Sequence, residues 1–440
     1  MNNEKSLVKE MTGFIQASPT PFHAVEQTAN ILNENGFVRL AEGDHWGLEP
    51  GKDYYVVRNQ SSIIAFRIGE DLKDYRFQIT ASHSDSPCFK LKERGELTGK
   101  EGYTRLNTEG YGGMLCASWM DRPLSLAGRV IVREGNRLES RLLNIDRDMV
   151  LIPNLAVHMN RQVNEGQSFN LQKDMLPLLS GSALEPGAVK RIAAKEAGVN
   201  EKDIYGMDLF LYSRMDASVW GMDGEFVSSP RLDDLECAYT ALRGFLEGSH
   251  PETVAVYACF DNEEVGSGTK QGAASTFLYD VLTRVNCSLG KEEEDFYRAV
   301  ASSFLLSCDN AHALHPNWPE KSDEGNRVYM NRGVVVKSHA GQKYTSDGVS
   351  IAVFHALCEK EGIPVQHFAN RSDMAGGSTL GNLAMSQVSM KAVDIGLAQL
   401  AMHSAYETAG TKDALWMQKA VKRFCQSCIK EDATGTRHIE

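Results

Sequence analysis

An α/β sheet flanked by helices and carrying a mostly β insertion is the fold that this sequence predicts. Three observations point to it. Short β-branched and aromatic runs alternate with helical patterns through the second half of the chain. From about Lys92 to Trp220 the texture changes to Gly-rich turns and short strand patterns. The 440 residues also exceed the roughly 250–300 at which a single hydrophobic core stops growing. The expected boundaries are 1–93 with 222–440 for the discontinuous α/β part and 94–221 for the inserted domain.

The first expected helix opens at Ser18-Pro19-Thr20-Pro21, with proline in its first turn and Gly36 beyond its end. Residues 54–57, 62–68 and 76–80 read as strands separated by polar turns, and they deliver the chain to Ala81-Ser82-His83-Ser84-Asp85. Within the insertion, 128–133 turns at Glu134-Gly135-Asn136 into a second strand, 137–143. Beyond it, Leu235, Ala238, Tyr239, Leu242, Phe245 and Leu246 mark one face of a helix that starts near Asp233 or Asp234. Residues 254–260, 303–307, 333–336 and 364–368 read as buried strands, and 350–361 and 390–402 as helices between or after them. The last ten residues read as disordered.

Lys+Arg 46 against Asp+Glu 58 leaves a net charge of −12, which argues against nucleic acid or an anionic membrane as partner and leaves small substrates and metals open. No run of about 18 apolar residues is present, and the N-terminal MNNEKSLVKEM has no apolar signal core, so a cytoplasmic location is expected. Nine cysteines scattered along the chain read as reduced core thiols. Cys425 and Cys428 form a lone CxxC without the further ligands that a four-ligand zinc site needs.

Chemistry concentrates at expected strand and helix ends, where α/β proteins place their sites. Glu263 and Glu264 follow the strand 254–260, and two adjacent carboxylates are tolerable mainly where one binds a cation and the other holds a proton in transit. His83 and Asp85 follow another strand, Asp309 follows a third, Asp233 opens a helix, and His403 closes one. Two histidines and three carboxylates suit a pair of zinc ions, since three carboxylates and a bridging hydroxide balance their charge. Asp85 is spaced to accept the second ring N–H of a ligating His83. A metal-assisted hydrolase is therefore the first expectation. Taken singly, each residue has a plainer reading: a surface His-x-Asp hydrogen bond, an N-cap at Asp233, a helix C-terminal cation at His403, a solvated acidic loop at 261–264.

Over nearly its full length the chain resembles the aspartyl aminopeptidase family of dinuclear zinc exopeptidases. The segments that carry the resemblance are SPTPFHAVE (18–26), ASHSDSPCFKLK (81–92), EGYGGMLCASWMDRPLSLAGRVIV (109–132), LIPNLAVHMNR (151–161), SSPRLDDLECAY (228–239), CFDNEEVGSGTKQGA (259–273), SCDNAHALHPN (307–317), VVVKSHAGQKYTSDG (334–348) and MHSAYE (402–407).

The resemblance implies a mixed-sheet zinc exopeptidase domain with helices on both faces and an inserted dimerisation domain. It implies two Zn²⁺ per subunit, with Co²⁺ or Mn²⁺ as possible substitutes: His83 and Asp309 on one, Glu264 and His403 on the other, Asp233 bridging. Glu263 would be the general base toward a metal-bridging water, and Asp85 would orient His83. Substrate contacts would fall at His158, His312, Lys337 and Tyr344. The implied activity is removal of N-terminal residues from peptides, acidic ones preferred. A preference for neutral residues, a related metal-dependent deacylase and a non-catalytic peptide-binding scaffold are the alternatives. Family members form dimers that assemble into tetrahedral dodecamers. The sequence departs from the family at Ala375-Gly376, where Pro-Cys is common, and at Asp234, where Asn is commoner.

Overall fold

The computed structural model describes residues 2–100 and 102–440. The chain falls into two units, one made of Met1–Asp85, Ser218–Met402 and Glu407–Glu440, the other of Ser86–Ala217 and His403–Tyr406.

The first unit is built on a nine-stranded sheet. In chain order its strands are β1 (Val38–Leu40), β2 (Asp53–Arg58), β3 (Ser62–Ile68), β4 (Arg76–His83), β5 (Thr253–Phe260), β6 (Phe304–Cys308), β7 (Val334–Ser338), β8 (Val365–Ala369) and β9 (Lys391–Gly396). Their spatial order is β1-β2-β3-β5-β4-β6-β9-β7-β8. The central run β5-β4-β6-β9 is parallel, whereas β2–β3, β3–β5 and β9–β7 are antiparallel, so the sheet is mixed.

Side chains alternate across the pleat and divide the apolar residues between two cores. Ile63 and Ala65 of β3, with Ala255, Tyr257 and Cys259 of β5, face Ala238, Leu242 and Phe245 of helix Leu232–Glu247 and Met417 and Phe424 of helix Thr411–Cys425. Their neighbours Ile64, Phe66, Val254, Val256 and Ala258 face Phe277, Val281 and Val285 of helix Phe277–Ser288 and Phe296 of helix Glu293–Ala301. Buried on both faces, β4 and β5 carry no exposed position at all. A smaller five-stranded sheet in the same unit includes Phe226–Ser229, Glu407–Gly410 and Ala311–His312.

The second unit is a six-stranded antiparallel sheet. Its order is Arg137–Asn144, Leu124–Glu134, Ile204–Ser213, Cys88–Thr98, Thr104–Tyr111, Leu178–Ser180. One helix, Ala188–Ala197, adds Val189, Ala193 and Ala194 to a core around Phe89, Leu126 and Trp119. The hairpin at Gly135 closes with φ 61°, a left-handed turn that glycine adopts without strain.

Three expectations differ from the structure. A helix, Asn2–Gln16, precedes the one at Pro21–Glu34; its Leu7, Val8, Met11, Phe14 and Ile15 are buried at helical spacing. Residues 390–402 are two strands, β9 and Ala398–Leu400, not a helix. The run Ala392-Val393-Asp394-Ile395 is nearly continuous because β9 lies between β6 and β7, and a short continuous apolar run does not by itself separate strand from helix. Residues 431–440 are ordered, as Ile429–Glu431 pairs antiparallel with Arg437–Ile439 around a turn in which the Asp432 carboxylate accepts the Thr434 and Thr436 N–H groups.

Phe245 is fully buried, with Phe37 and Tyr257 rings at 5.7 and 6.0 Å. Phe245→Ala is expected to destabilise the first unit by about 3–5 kcal/mol, read as a lower midpoint in urea denaturation followed by far-UV circular dichroism.

Candidate metal centre

Three parallel strands end side by side. His83, the last residue of β4, is in register with Phe260 at the end of β5, and β6 runs alongside β4 to Cys308. Their next residues, Glu263-Glu264 and Asp309, therefore emerge at the same carboxyl edge of the sheet. Gly396 makes room there, since a Cβ on it would stand 1.9 Å from the Asp309 carbonyl oxygen. Asp233 and Asp234 enter at the start of helix Leu232–Glu247, with backbone angles outside the helical range and a cis peptide bond between them.

The loop that carries the two glutamates is stitched from several sides. Asn262 takes a left-handed conformation (φ 62°) and its side-chain oxygen accepts from Thr269 Oγ1 and Gln271 Nε2, both at 2.8 Å. The Ser267 N–H donates to the Asn262 carbonyl at 2.7 Å. The fully buried Asp85 carboxylate then receives both glutamate backbones, Glu263 N–H at 3.1 Å and Glu264 N–H at 3.2 Å.

His83 has both ring nitrogens committed. Its Nδ1 lies 3.0 Å from the Asp85 carbonyl oxygen and 3.4 Å from the Asp85 carboxylate. A carbonyl only accepts, so Nδ1 carries a proton, and Nε2 stands 3.4 Å from Asp233 Oδ1. Asp85 thus orients the imidazole mainly through its backbone, while its carboxylate holds the glutamate loop. The His83 N–H is taken by Asp234 Oδ2 at 3.0 Å, and the Asp233 N–H by Glu407 Oε2 at 3.0 Å.

Ligand atoms of His83, Asp233, Asp234 and Asp309, all four buried, lie within 4.8 Å of one another, as do those of His83, Glu263 and Glu264. Burial, reinforced by Asp309, Asp85 and Asp233 and opposed by His83, pushes Glu263 up to about 8. Burial and the neighbouring Asp233 likewise hold Glu264 well above the usual carboxylate range. Burial also raises Asp309, partly offset by Lys337. For His83, burial alone would lower the imidazole, but Asp234, Asp233, Asp85 and Glu263 together raise it well above its ordinary value. Carboxylates that resist ionising together, around an imidazole whose Nε2 faces them, form a donor set that divalent cations fit. The Asp234 Oδ1 atom, buried and without a hydrogen-bond partner among the described residues, adds a further oxygen to that set.

The other expected residues are placed as follows. Lys337 of β7 is 2 % exposed; its ammonium donates to the carbonyls of Asp309 (2.8 Å) and Asn310 (3.2 Å), lies 3.5 Å from the Asp309 carboxylate and sits 5.4 Å above the Tyr344 ring. Tyr344 is buried and neighbours Phe368, which in turn faces His312 at 6.1 Å between ring centres. Three of the four expected substrate contacts therefore line one stretch of the first unit. His158 lies in the second unit, exposed, in an irregular stretch between Val157 and Met159 that are themselves 50 % and 74 % exposed. His403 also groups with the second unit; it has a left-handed backbone (φ 67°), and its Nδ1 donates to the Gly113 carbonyl at 2.6 Å, leaving Nε2 as the basic nitrogen.

Two further features lie outside the expected residues: Glu407, which closes the MHSAYE segment, and the Glu236–Asn310 pair, buried and joined at 3.0 Å beside Lys337. A buried glutamate after a histidine-bearing segment was the available signal for Glu407. Nothing in the sequence pointed to Glu236.

The chain matches the family described as aminopeptidase I zinc metalloprotease (M18) over residues 14–425. The protein called "Probable M18 family aminopeptidase 2" of Clostridium novyi (strain NT) is 45 % identical over 430 residues, covering 96 % of this chain and 99 % of that protein. A chain in the cryo-EM structure of the Ape4 and Nbr1 complex superposes with a TM-score of 0.92 at 35 % identity, covering 96 % of this chain and 86 % of that one. A chain of the S. cerevisiae mApe1 dodecamer gives a TM-score of 0.83 at 27 % identity, covering 96 % and 97 %. A match of this extent, on a mixed sheet whose carboxyl edge gathers a histidine and a crowd of carboxylates, places the chain in the M18 family, the aspartyl aminopeptidase family of zinc metallopeptidases, as a hydrolase of peptide bonds.

Proposed function

We propose that this chain is an aminopeptidase that works with two zinc ions per subunit and prefers peptides beginning with Asp or Glu. The observation that carries the reading is the convergence of His83, Asp233, Asp309, Glu263 and Glu264 at one sheet edge. In this assignment His83 and Asp309 hold one ion, Glu264 and His403 the other, and Asp233 serves both. Bound zinc would polarise the scissile carbonyl and acidify the attacking water; Co²⁺ and Mn²⁺ accept the same donor types.

The chain's own residues do the rest. Glu263, with its affinity for a proton raised toward neutrality by burial and by its carboxylate neighbours, suits a group that takes a proton from water and returns it to the leaving amine. Asp85 keeps that glutamate aimed by gripping its backbone N–H, and fixes the tautomer of His83. Lys337 offsets part of the burial cost of charge on Asp309 from behind the ligand. His312, Tyr344 and Lys337 would line the substrate side in the first unit, and His158 would reach it from the exposed stretch of the second, in the same subunit or a neighbouring one. Assembly through the inserted domain into dimers, and of dimers into a tetrahedral dodecamer, fits the likeness to a dodecameric relative, and a cytoplasmic location fits the described helices, none long and apolar enough to cross a membrane.

Glu263→Gln is expected to retain its metal, measured by inductively coupled plasma mass spectrometry, while losing roughly 10²–10⁴ in kcat; undiminished turnover would remove Glu263 from the proton-transfer role. Wild-type protein is expected to cleave a free-amine peptide and to leave its N-acetylated twin intact, and the opposite preference would make it a deacylase. For Lys337→Met, kcat/KM is expected to fall more for Asp- or Glu-starting peptides than for Leu-starting ones. An equal fall for both would leave the lysine as a prop for Asp309 alone.

A further inference from the structure

A pair of histidines outside the carboxylate cluster has a geometry of its own. His355, on helix Gly348–Lys360, and His367, on the edge strand β8, face each other with Nε2 atoms 2.9 Å apart, ring centres at 4.9 Å and ring planes 14° from parallel. Both are accessible from solvent, His367 exposed and His355 partly covered. Neither belongs to the donor set described above.

We propose that His355 and His367 form a separate, peripheral metal site, selective for a divalent ion that favours nitrogen ligands at right angles, Cu²⁺ or Ni²⁺. With metal–nitrogen distances of ~2.0–2.1 Å, two nitrogens held 2.9 Å apart subtend about 90° at the ion. That is the angle between neighbouring ligands of a tetragonal or square-planar site, and it is tighter than a tetrahedral ion such as Zn²⁺ takes without spreading the rings. On binding, the Nε2 proton that lies between the rings would transfer through water to Nδ1 of the same imidazole, so that both rings coordinate as neutral ligands.

The pair is built to stay in place. Phe354, Leu357 and Cys358, around His355 on the helix, are buried in the same core against which Val365, two residues before His367, packs. Helix and strand are thus fixed by apolar contacts independent of the imidazoles, and the two nitrogens are held at chelating distance before any ion arrives. Burial first, and then its neighbour His367, lower the affinity of His355 for a proton, which keeps its lone pair available near neutral pH.

The test uses full-length, zinc-loaded protein titrated with Cu²⁺ and followed by electron paramagnetic resonance. The wild type is expected to give one Cu²⁺ signal per chain with hyperfine structure from two imidazole nitrogens. Since losing even a partner of a ligand costs ~10–100-fold in affinity, His355→Gln and His367→Gln should each weaken Cu²⁺ binding by about tenfold or more, with far-UV circular dichroism and aminopeptidase rate unchanged. Equal Cu²⁺ affinity in the wild type and both variants would overturn the site. Binding of Zn²⁺ at this pair in preference to Ni²⁺ would overturn its right-angled selectivity.

Discussion

Mutual repulsion among buried carboxylates is the constraint around which the first unit is organised. Asp233, Asp234, Glu263, Glu264 and Asp309 crowd the His83 imidazole at the carboxyl edge of three parallel strands, and burial raises the cost of negative charge on Asp234, Glu263, Glu264 and Asp309. Such an arrangement persists only when the fold holds each side chain against its neighbours and when cations can offset the charge. Much of the surrounding hydrogen bonding answers the first requirement. Asp85 takes two backbone N–H groups, Asp234 takes the N–H of His83, and Glu407 takes that of Asp233, so acids clamp the backbone that presents the cluster.

The rigidity behind those clamps is hydrophobic. Strict alternation along β3 and β5 commits one set of side chains to each of two cores, and a one-residue slip would exchange the two sets and carry His83 out of line with Phe260. Lys337 shows how the cores and the polar edge meet. Its stem runs from a buried strand, and its ammonium ends on two carbonyls and the Asp309 carboxylate, a position where desolvation would strip a lone lysine of its charge and where the acid beside it keeps that charge in place.

Much of this was legible in the sequence because the relevant signals are local. The apolar run ending at Phe260 followed by two glutamates, the His83-x-Asp85 spacing and the turn at Gly135 all state their geometry within a few residues. What escaped was set by distant neighbours. Residues 390–402 look helical in isolation and become strands because β6 and β7 lie on either side of β9. The helix at Asn2–Gln16 owes its place to Leu232, Leu235 and Tyr239, far along the chain, against which it packs. The closing hairpin is mostly polar in composition, and its order comes from Ile429 and Ile439 packing on the distant core together with side-chain contacts such as Lys430 to Glu440 at 2.6 Å. That Asp85 acts on the glutamate loop as well as on His83 depends on a juxtaposition that no spacing within one motif encodes.

Strand β4 ends in His83, yet both of its partners, β5 and β6, begin only at Thr253 and Phe304. A ribosome therefore releases a strand destined for full burial whose two hydrogen-bonding edges have nothing to pair with until the whole stretch Ser86–Ala217 of the second unit has been synthesised. Closing so long a span delays the parallel pairing at the heart of the enzyme, and the nascent chain must shelter that segment meanwhile, through early packing of its own N-terminal helices or through a chaperone. The same splice that lets a second unit grow between His83 and Glu263 thus makes the reactive edge one of the last parts of the molecule to come together.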